Sequence, residues 1–366
     1  MMEKEIETRI TDLIGENLDR VVTIDWRCQG AIHPLYEVAR SHSDGPLTMR
    51  GAQKLVKKVR EGDIVFIMTG FPVGPFDLPK EKQLSFHGAM VTPETDGVVA
   101  SALVGRAVDL GLKARPVLFC EEECVPIATA CCRAAGLKVF HDFETSQMIS
   151  HSIAVLPFTK ESSKAKEEAE RILDTMKPSA AISIERPGRN EKGCYHMANG
   201  RSITDFVAKL DDLFEGVAKR GGLTIGIGDL GNELGMGVLK EGTRKFIFNG
   251  DKCQCGCGGG IGASVPAHAT LFGAISDDVA YGFLAALSHL LSQPKLLHTT
   301  DMETRVLEAA CHEGAIDGPA GLSIPSIDYL DLRVHNLQIE LMREIVRAPR
   351  RFLKLQPYFY GLPKIP

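Results

Sequence analysis

The sequence predicts an α/β fold: a layered, mostly parallel or mixed sheet flanked by helices, with a more helical C-terminal part. Three observations predict it. Short apolar runs alternate with helix-period segments from Ile64 to Ile227. These runs are continuous rather than alternating, as in strands covered on both faces. The C-terminal third then reads as successive helices.

Taken in order, residues 3–18 predict a helix, with Ile6, Ile10, Leu13 and Ile14 at helical spacing. Helices follow over Ala31–Arg40 and Arg50–Arg60. Ile64–Met68, closed by Thr69-Gly70, is the first central strand. A helix over Gly97–Gly111 precedes a strand at Pro116–Cys120. Val125–Ala135 is helical and Leu137–Phe140 extended. Ile153–Leu156 is a strand, Ser162–Met176 a charged helix and Ala180–Ile184 a strand. Ser202–Lys219 reads as a helix and Leu223–Ile227 as a strand. Phe246–Phe248 is a further short strand. Val279–Leu291, Thr300–His312 and Asp331–Arg347 are helices, and Pro349–Pro366 is an extended tail. The organisation expected is a core over residues 1–290, with C-terminal helices and a Pro-rich tail (291–366) packed on it.

The chain has 366 residues, 44% hydrophobic and 24% charged, with a net charge of −5. These values are ordinary for a globular protein. No basic excess points to nucleic acid. No apolar stretch is long enough to span a membrane, and the first residues lack a signal-peptide core. The ten cysteines cluster, as in Cys131-Cys132, instead of forming a spaced framework. Reduced thiols in a cytoplasmic protein are therefore expected. A homo-oligomer is left open.

In a parallel sheet, ligands bind outside the carboxyl ends of the strands. Four loops lie there. Met68-Thr69-Gly70-Phe71-Pro72-Val73-Gly74-Pro75-Phe76 offers Thr69 and the Gly70 backbone as pocket-wall donors. Thr92-Pro93-Glu94-Thr95-Asp96-Gly97 carries two carboxylates. One would suffice as a helix cap; a pair suits an oxygen-liganded divalent cation. Ser183-Ile184-Glu185-Arg186-Pro187-Gly188-Arg189-Asn190 adds a carboxylate and two forked donors suited to a substrate carboxylate. Gly226-Ile227-Gly228-Asp229-Leu230-Gly231-Asn232-Glu233 formally matches a dinucleotide fingerprint. Asp229 would, however, aim negative charge at the pyrophosphate, and Gly235 and Gly237 make a poor helix start. Carboxylates here are costly to desolvate unless paired or bound to a cation.

Cys253-x-Cys255-x-Cys257 would place three thiols on one face of a strand. Structural zinc takes four ligands, and a distant residue such as His268 could supply the fourth; the alternative is a set of unligated thiols in a loop. No serine-nucleophile or His-Glu-x-x-His motif is present.

The loops together resemble the D-glutamate cyclase family. The resemblance rests on Thr69-Gly70-Phe71-Pro72, Glu94-Thr95-Asp96-Gly97, Ser183-Ile184-Glu185-Arg186-x-Gly188-Arg189, Asp211-Asp212-Leu213-Phe214 and Gly228-Asp229-x-Gly231-Asn232-Glu233-Leu234-Gly235-Met236-Gly237, in order across roughly residues 5–290. It implies a metal-dependent hydro-lyase that interconverts D-glutamate and 5-oxo-D-proline with a divalent metal, Mn²⁺ first and Mg²⁺ second. The chain departs from the family pattern at Ser276-Asp277-Asp278-Val279-Ala280-Tyr281-Gly282, where Ser-Asn-Trp-Gly is usual, and in its Cys-rich loop.

For such a reaction Asp96, Glu185, Asp229 and Glu233 are the candidate metal ligands. Glu94, Asp96, Glu185 and Glu233 are the candidate acid/base groups. Thr69, Gly70, Arg186, Arg189 and Asn232 are the candidate substrate contacts, with Arg186 or Arg189 on the α-carboxylate. The same carboxylates would also serve a metal-dependent hydrolase acting on a small acidic or phosphorylated metabolite. A non-catalytic module binding a dinucleotide or small ligand is the remaining alternative.

Overall fold

A computed structural model of the chain describes residues 2–74 and 91–355. Pro75, Phe76 and the tail from residue 356 lie outside the described residues. The helices are α1 (Met2–Val22), α2 (Ile32–Ser41), α3 (Leu47–Lys58), α4 (Thr95–Leu112), α5 (Val125–Ala134), α6 (Phe143–Met148), α7 (Ser162–Met176), α8 (Leu210–Lys219), α9 (Lys240–Phe246), α10 (Ser276–Leu290), α11 (Thr300–His312) and α12 (Leu332–Leu355). The strands are β1 (Ile64–Met68), β2 (Pro72–Val73), β3 (Thr92–Pro93), β4 (Arg115–Cys120), β5 (Lys138–Phe140), β6 (Ser152–Pro157), β7 (Ala180–Ile184), β8 (Leu223–Gly228), β9 (Ala269–Phe272), β10 (Ser326–Ile327) and β11 (Leu330–Asp331).

Seven strands form one sheet in the order β5-β6-β4-β1-β7-β8-β9, and every pairing in it is parallel. The side-chain period of two divides the central strands between two cores. From β1, Val65 and Ile67 join the larger core, which is built with α1, α3, α4, α5, α10, α11 and α12. Phe66 and Met68 join the other, built with α7 and α8. Val306, Leu307, Ile339 and Met342 belong to the larger core, so the C-terminal helices share the core of the sheet. Among the described residues no helix is long and apolar enough to cross a membrane.

Several expectations need correction. Phe246–Phe248 is not a strand: Phe246 ends α9 and Phe248 is exposed. The helix expected from Ser202 begins only at Leu210; residues 204–206 form a single 3-10 turn. Strand β9 was not anticipated, because Ala-Thr-Leu-Phe is short and carries one β-branched residue. Helix α12 continues through Pro349 to Leu355, where an extended tail was expected to begin.

The site follows from the topology. The chain runs from central β1 outward through β4, then crosses to β7 on the other side of β1. The crevice at such a reversal, beyond the strand ends, is where open α/β sheets bind ligands. The loops after β1, β7 and β8 converge there.

Candidate active site

Each loop delivers its carboxylate by a different local device. After β1 the chain returns through the small β2–β3 pair, and the Glu94 N–H donates to the Phe71 carbonyl at 3.0 Å. Asp96 and Gly97 then break helical geometry at the start of α4. Gly97 has φ +86°, and a Cβ there would stand 2.5 Å from the Glu185 Cβ and 2.9 Å from the Ile184 carbonyl. Only glycine lets the two loops meet so closely. Glu185 itself sits at φ +39°, a strained conformation of the kind found at functional sites.

Oxygens of Asp96, Glu185 and Asp229 lie within 4.8 Å of one another, and all three residues are buried. Asp96 accepts the Ser276 and Asp277 backbone N–H groups at 3.2 and 2.8 Å. Glu185 accepts the Ser276 hydroxyl at 2.5 Å. Burial, reinforced by Asp277 and Glu185, pushes the Asp96 carboxyl well above the usual range. Burial and Asp229 do the same to Glu185. Burial lifts Asp229 to about 7 against the opposing pull of Arg27. Three crowded carboxylates with all-oxygen donors fit a hard divalent cation such as Mn²⁺ or Mg²⁺, whose charge would offset their mutual repulsion.

Glu185 and Asp229 open into a cavity of about 270 Å³, lined also by Arg27, Phe71, Glu94, Asn232 and Asp328; Asp96 is not part of its lining. That size is near the lower end for ligand pockets, roughly 300–1,000 Å³, and suits a small metabolite. Arg27 is the one cation among the described lining residues. It donates to Asp328 at 2.9 Å, Asp229 at 3.3 Å and the Ala274 carbonyl at 3.1 Å. Asp328 arrives on the two-residue turn of the β10–β11 hairpin, where Asp328 and Tyr329 both have positive φ. Burial pushes Glu94 well above the usual carboxylate range, and Asp328, Asp229 and Asp317 add to the shift.

A sequence profile described as D-glutamate cyclase-like, C-terminal, matches residues 18–343. The chain belongs to the D-glutamate cyclase-like family. Within it, 112 residues are 37% identical to the human protein named "D-glutamate cyclase, mitochondrial". That match covers 30% of this chain and 17% of the human protein.

In this D-glutamate cyclase-like chain the remaining candidates fall in two groups. Asn232 lines the cavity; its Nδ2 donates to the His196 carbonyl at 3.0 Å, and its Oδ1 is buried without a hydrogen-bond partner. The Thr69 hydroxyl is likewise buried and unpartnered. The others serve as braces. Arg186 is fully buried, donating to Glu121 at 2.6 Å and to the Thr69, Gly70 and Ala208 carbonyls. Arg189 pairs with Asp212 and Glu215 at 2.9 and 3.1 Å, and neither arginine lines the cavity. The Glu233 carboxylate accepts the Asp229, Leu230 and Gly231 N–H groups at 3.3, 2.9 and 2.7 Å. A dinucleotide fingerprint would offer those donors to a pyrophosphate; here the loop's own side chain takes them.

The substituted segment also turns inward. Asp277 accepts the Gly97 and Ala100 N–H groups, and Asp278 accepts from Gln338 and pairs with His335. Neither lines the cavity. Arg27 and Asp328 were not anticipated. Arg27 lies outside every motif, and the Asp-Tyr turn lacks the glycine that marks such hairpins.

Proposed function

We propose that the chain is a metal-dependent hydro-lyase interconverting D-glutamate and 5-oxo-D-proline. The observation that carries this reading is the convergence of Asp96, Glu185 and Asp229, with Glu185 and Asp229 beside Arg27 on the wall of a cavity of metabolite size. Family membership supplies the reaction class.

Ring closure joins the α-nitrogen to the γ-carboxyl carbon and breaks one carbon–oxygen bond. Two protons leave the ammonium nitrogen, and the departing oxygen leaves as water. A divalent cation held by Asp96, Glu185 and Asp229 supplies charge neutralisation at the γ-carboxylate. Arg27 takes the role foreseen for Arg186 or Arg189 and grips the α-carboxylate. Glu94 faces the cavity outside the carboxylate trio and hands a proton to the departing oxygen. Asn232 Oδ1 orients the substrate. Phe71, Val73, Met197 and Pro319 supply the apolar part of the wall. Glu233 acts through the loop that it braces.

All ten cysteines are free of disulfides, which supports the cytoplasmic reading. The occupation of the Asp229–Gly231 N–H groups by Glu233 removes support from the dinucleotide alternative. An assay of metal-stripped protein with D-glutamate, L-glutamate and 5-oxo-D-proline, with and without Mn²⁺, tests the proposal. Interconversion confined to the D series and restored by Mn²⁺ is expected. Turnover of a different acidic or phosphorylated metabolite, with none of D-glutamate, overturns it.

A further inference from the structure

We propose that His196, Cys253, Cys255 and Cys257 hold a tetrahedral zinc ion that clamps one wall of the cavity. One ligand atom from each lies within 4.8 Å of the others. The Cys253 sulfur is 3.4 Å from that of Cys255 and 3.3 Å from that of Cys257. His196 Nε2 is 3.1 Å from the Cys255 sulfur and 3.9 Å from the Cys257 sulfur. Four ligands around a tetrahedral zinc ion, with Zn–S near 2.3 Å and Zn–N near 2.0 Å, stand roughly 3.5–3.8 Å apart. The sulfurs are therefore spaced for a shared ion and too far apart for a disulfide, which needs about 2.05 Å.

The donor set is the Cys₃His combination of closed structural zinc sites. Its soft thiolates distinguish it from the carboxylate trio, which suits harder ions. The local chain is built to gather the sulfurs. Residues 253–257 form turns instead of the expected strand. Gly256 and Gly258, at φ +79° and +76°, make left-handed bends that side chains resist. Asn190 Nδ2 and the Gly259 N–H donate to the Cys257 sulfur at 3.3 and 3.4 Å. Such outer donors hold thiolate ligands in place. Cys194 lies alongside, but its thiol donates to the Lys192 carbonyl at 3.8 Å. His268 is not gathered with the thiols; its Nδ1 lies 3.1 Å from the Thr224 backbone N and 2.8 Å from the Thr224 hydroxyl.

The clamp acts on the cavity through one short segment. Met197, Ala198 and Asn199 line the cavity directly after His196. The Gln254 N–H and Nε2 donate to the Gly200 and Asn199 carbonyls at 2.8 and 2.7 Å. A bound ion would fasten the 253–257 turn to this wall and hold His196 where its carbonyl meets Asn232.

Elemental analysis of protein purified under reducing conditions with zinc supplied tests the inference without reference to turnover. About one zinc per chain is expected. Replacement by Co²⁺ should give the thiolate-to-metal charge transfer and intense visible bands of a tetrahedral sulfur site. Cys255→Ser combined with Cys257→Ser should lose both metal and spectrum and melt at lower temperature. His196→Cys should keep the ion, since four thiolates also bind zinc. Wild-type protein with no stoichiometric zinc and no cobalt–thiolate spectrum overturns the proposal. So does metal that persists unchanged in the double serine variant. The wild-type spectrum decides the matter even where that variant does not fold.

Discussion

Asp96 and Asp277 each cap the other's helix. Asp96 accepts the Ser276 and Asp277 N–H groups at the start of α10, and Asp277 accepts the Gly97 and Ala100 N–H groups at the start of α4. The exchange locks two helix N-termini together and fixes Asp96 beside Glu185 and Asp229. Asp277 does this from outside the cavity.

Asp277→Ala should therefore impair both stability and the site. Two buried N–H groups lose their acceptor, at an expected cost of about 2–4 kcal/mol. Asp96 keeps its own backbone donors, but with the start of α4 no longer held it should bind Mn²⁺ roughly 10–100-fold more weakly, the usual effect of losing a supporting contact. Urea unfolding and Mn²⁺ titration measure the two effects. Unchanged Mn²⁺ affinity would show that the exchange does not position Asp96.

Gly97→Ala should disable the site more than its size suggests. A general penalty of about 1–2 kcal/mol comes from the left-handed backbone. Gly136, at φ +95°, also lies at positive φ, yet a Cβ there meets nothing within 4 Å. Gly136→Ala is thus the control. The excess cost of Gly97→Ala reads the collision with Glu185 and should come with loss of Mn²⁺ binding. Equal unfolding free energies for the two variants would remove Gly97 as a close-approach residue.

Glu121 and Arg186 form a buried ion pair at 2.6 Å, with side-chain exposures of 6% and 0%. Breaking such a pair leaves one charge uncompensated and costs about 3–5 kcal/mol. Glu121→Gln and Arg186→Met should each lose that much, and the double variant less than their sum. Residual activity of either should keep its KM, because Arg186 touches no cavity surface. A raised KM with intact stability would return Arg186 to the substrate.

The sequence was most legible where burial governed it. Strands β1, β4, β6, β7 and β8 are covered on both faces, so continuous apolar runs marked them. The carboxylates of the trio were legible because Asp96, Glu185 and Asp229 each follow a strand or open a helix. What each side chain reaches was not. Glu233 turns back onto its own loop, and Arg186 crosses to Glu121, 65 residues away. Arg27 meets Asp328 across 301 residues, a contact that arises only when α1 and the β10–β11 hairpin pack into the same core. Sequence spacing offered His268 as a distant fourth ligand; the β8–β9 pairing places it against Thr224, and His196 stands beside the thiols instead.

Asp277→Ala, Gly97→Ala and the Arg186 variants address position; Asp229→Asn addresses charge. Asp229 belongs to the carboxylate trio and also accepts from Arg27. The amide retains the shape and one acceptor oxygen but removes one negative charge. Mn²⁺-dependent turnover should vanish while the unfolding transition remains cooperative. Full activity would remove Asp229 from the site.

His335 ties α12 to α10 and should make stability fall with rising pH. Its Nδ1 is 2.9 Å from an Asp278 oxygen and its Nε2 3.4 Å from the Ile327 carbonyl. Two acceptors call for a doubly protonated ring. Burial alone would lower its pKa; the Asp278 charge outweighs burial and raises it from 6.5 to about 9. A pKa raised on folding contributes its full stability below the unfolded value and loses it as pH rises through the folded one. The window is therefore about pH 6.5 to 9, and the contribution lost is of order 3 kcal/mol. Unfolding free energies at pH 6 and 9.5 should diverge by this amount more in the wild type than in His335→Gln, in which the other titrating groups remain. Equal pH slopes for the two proteins would show that the His335 ring is neutral in the folded chain.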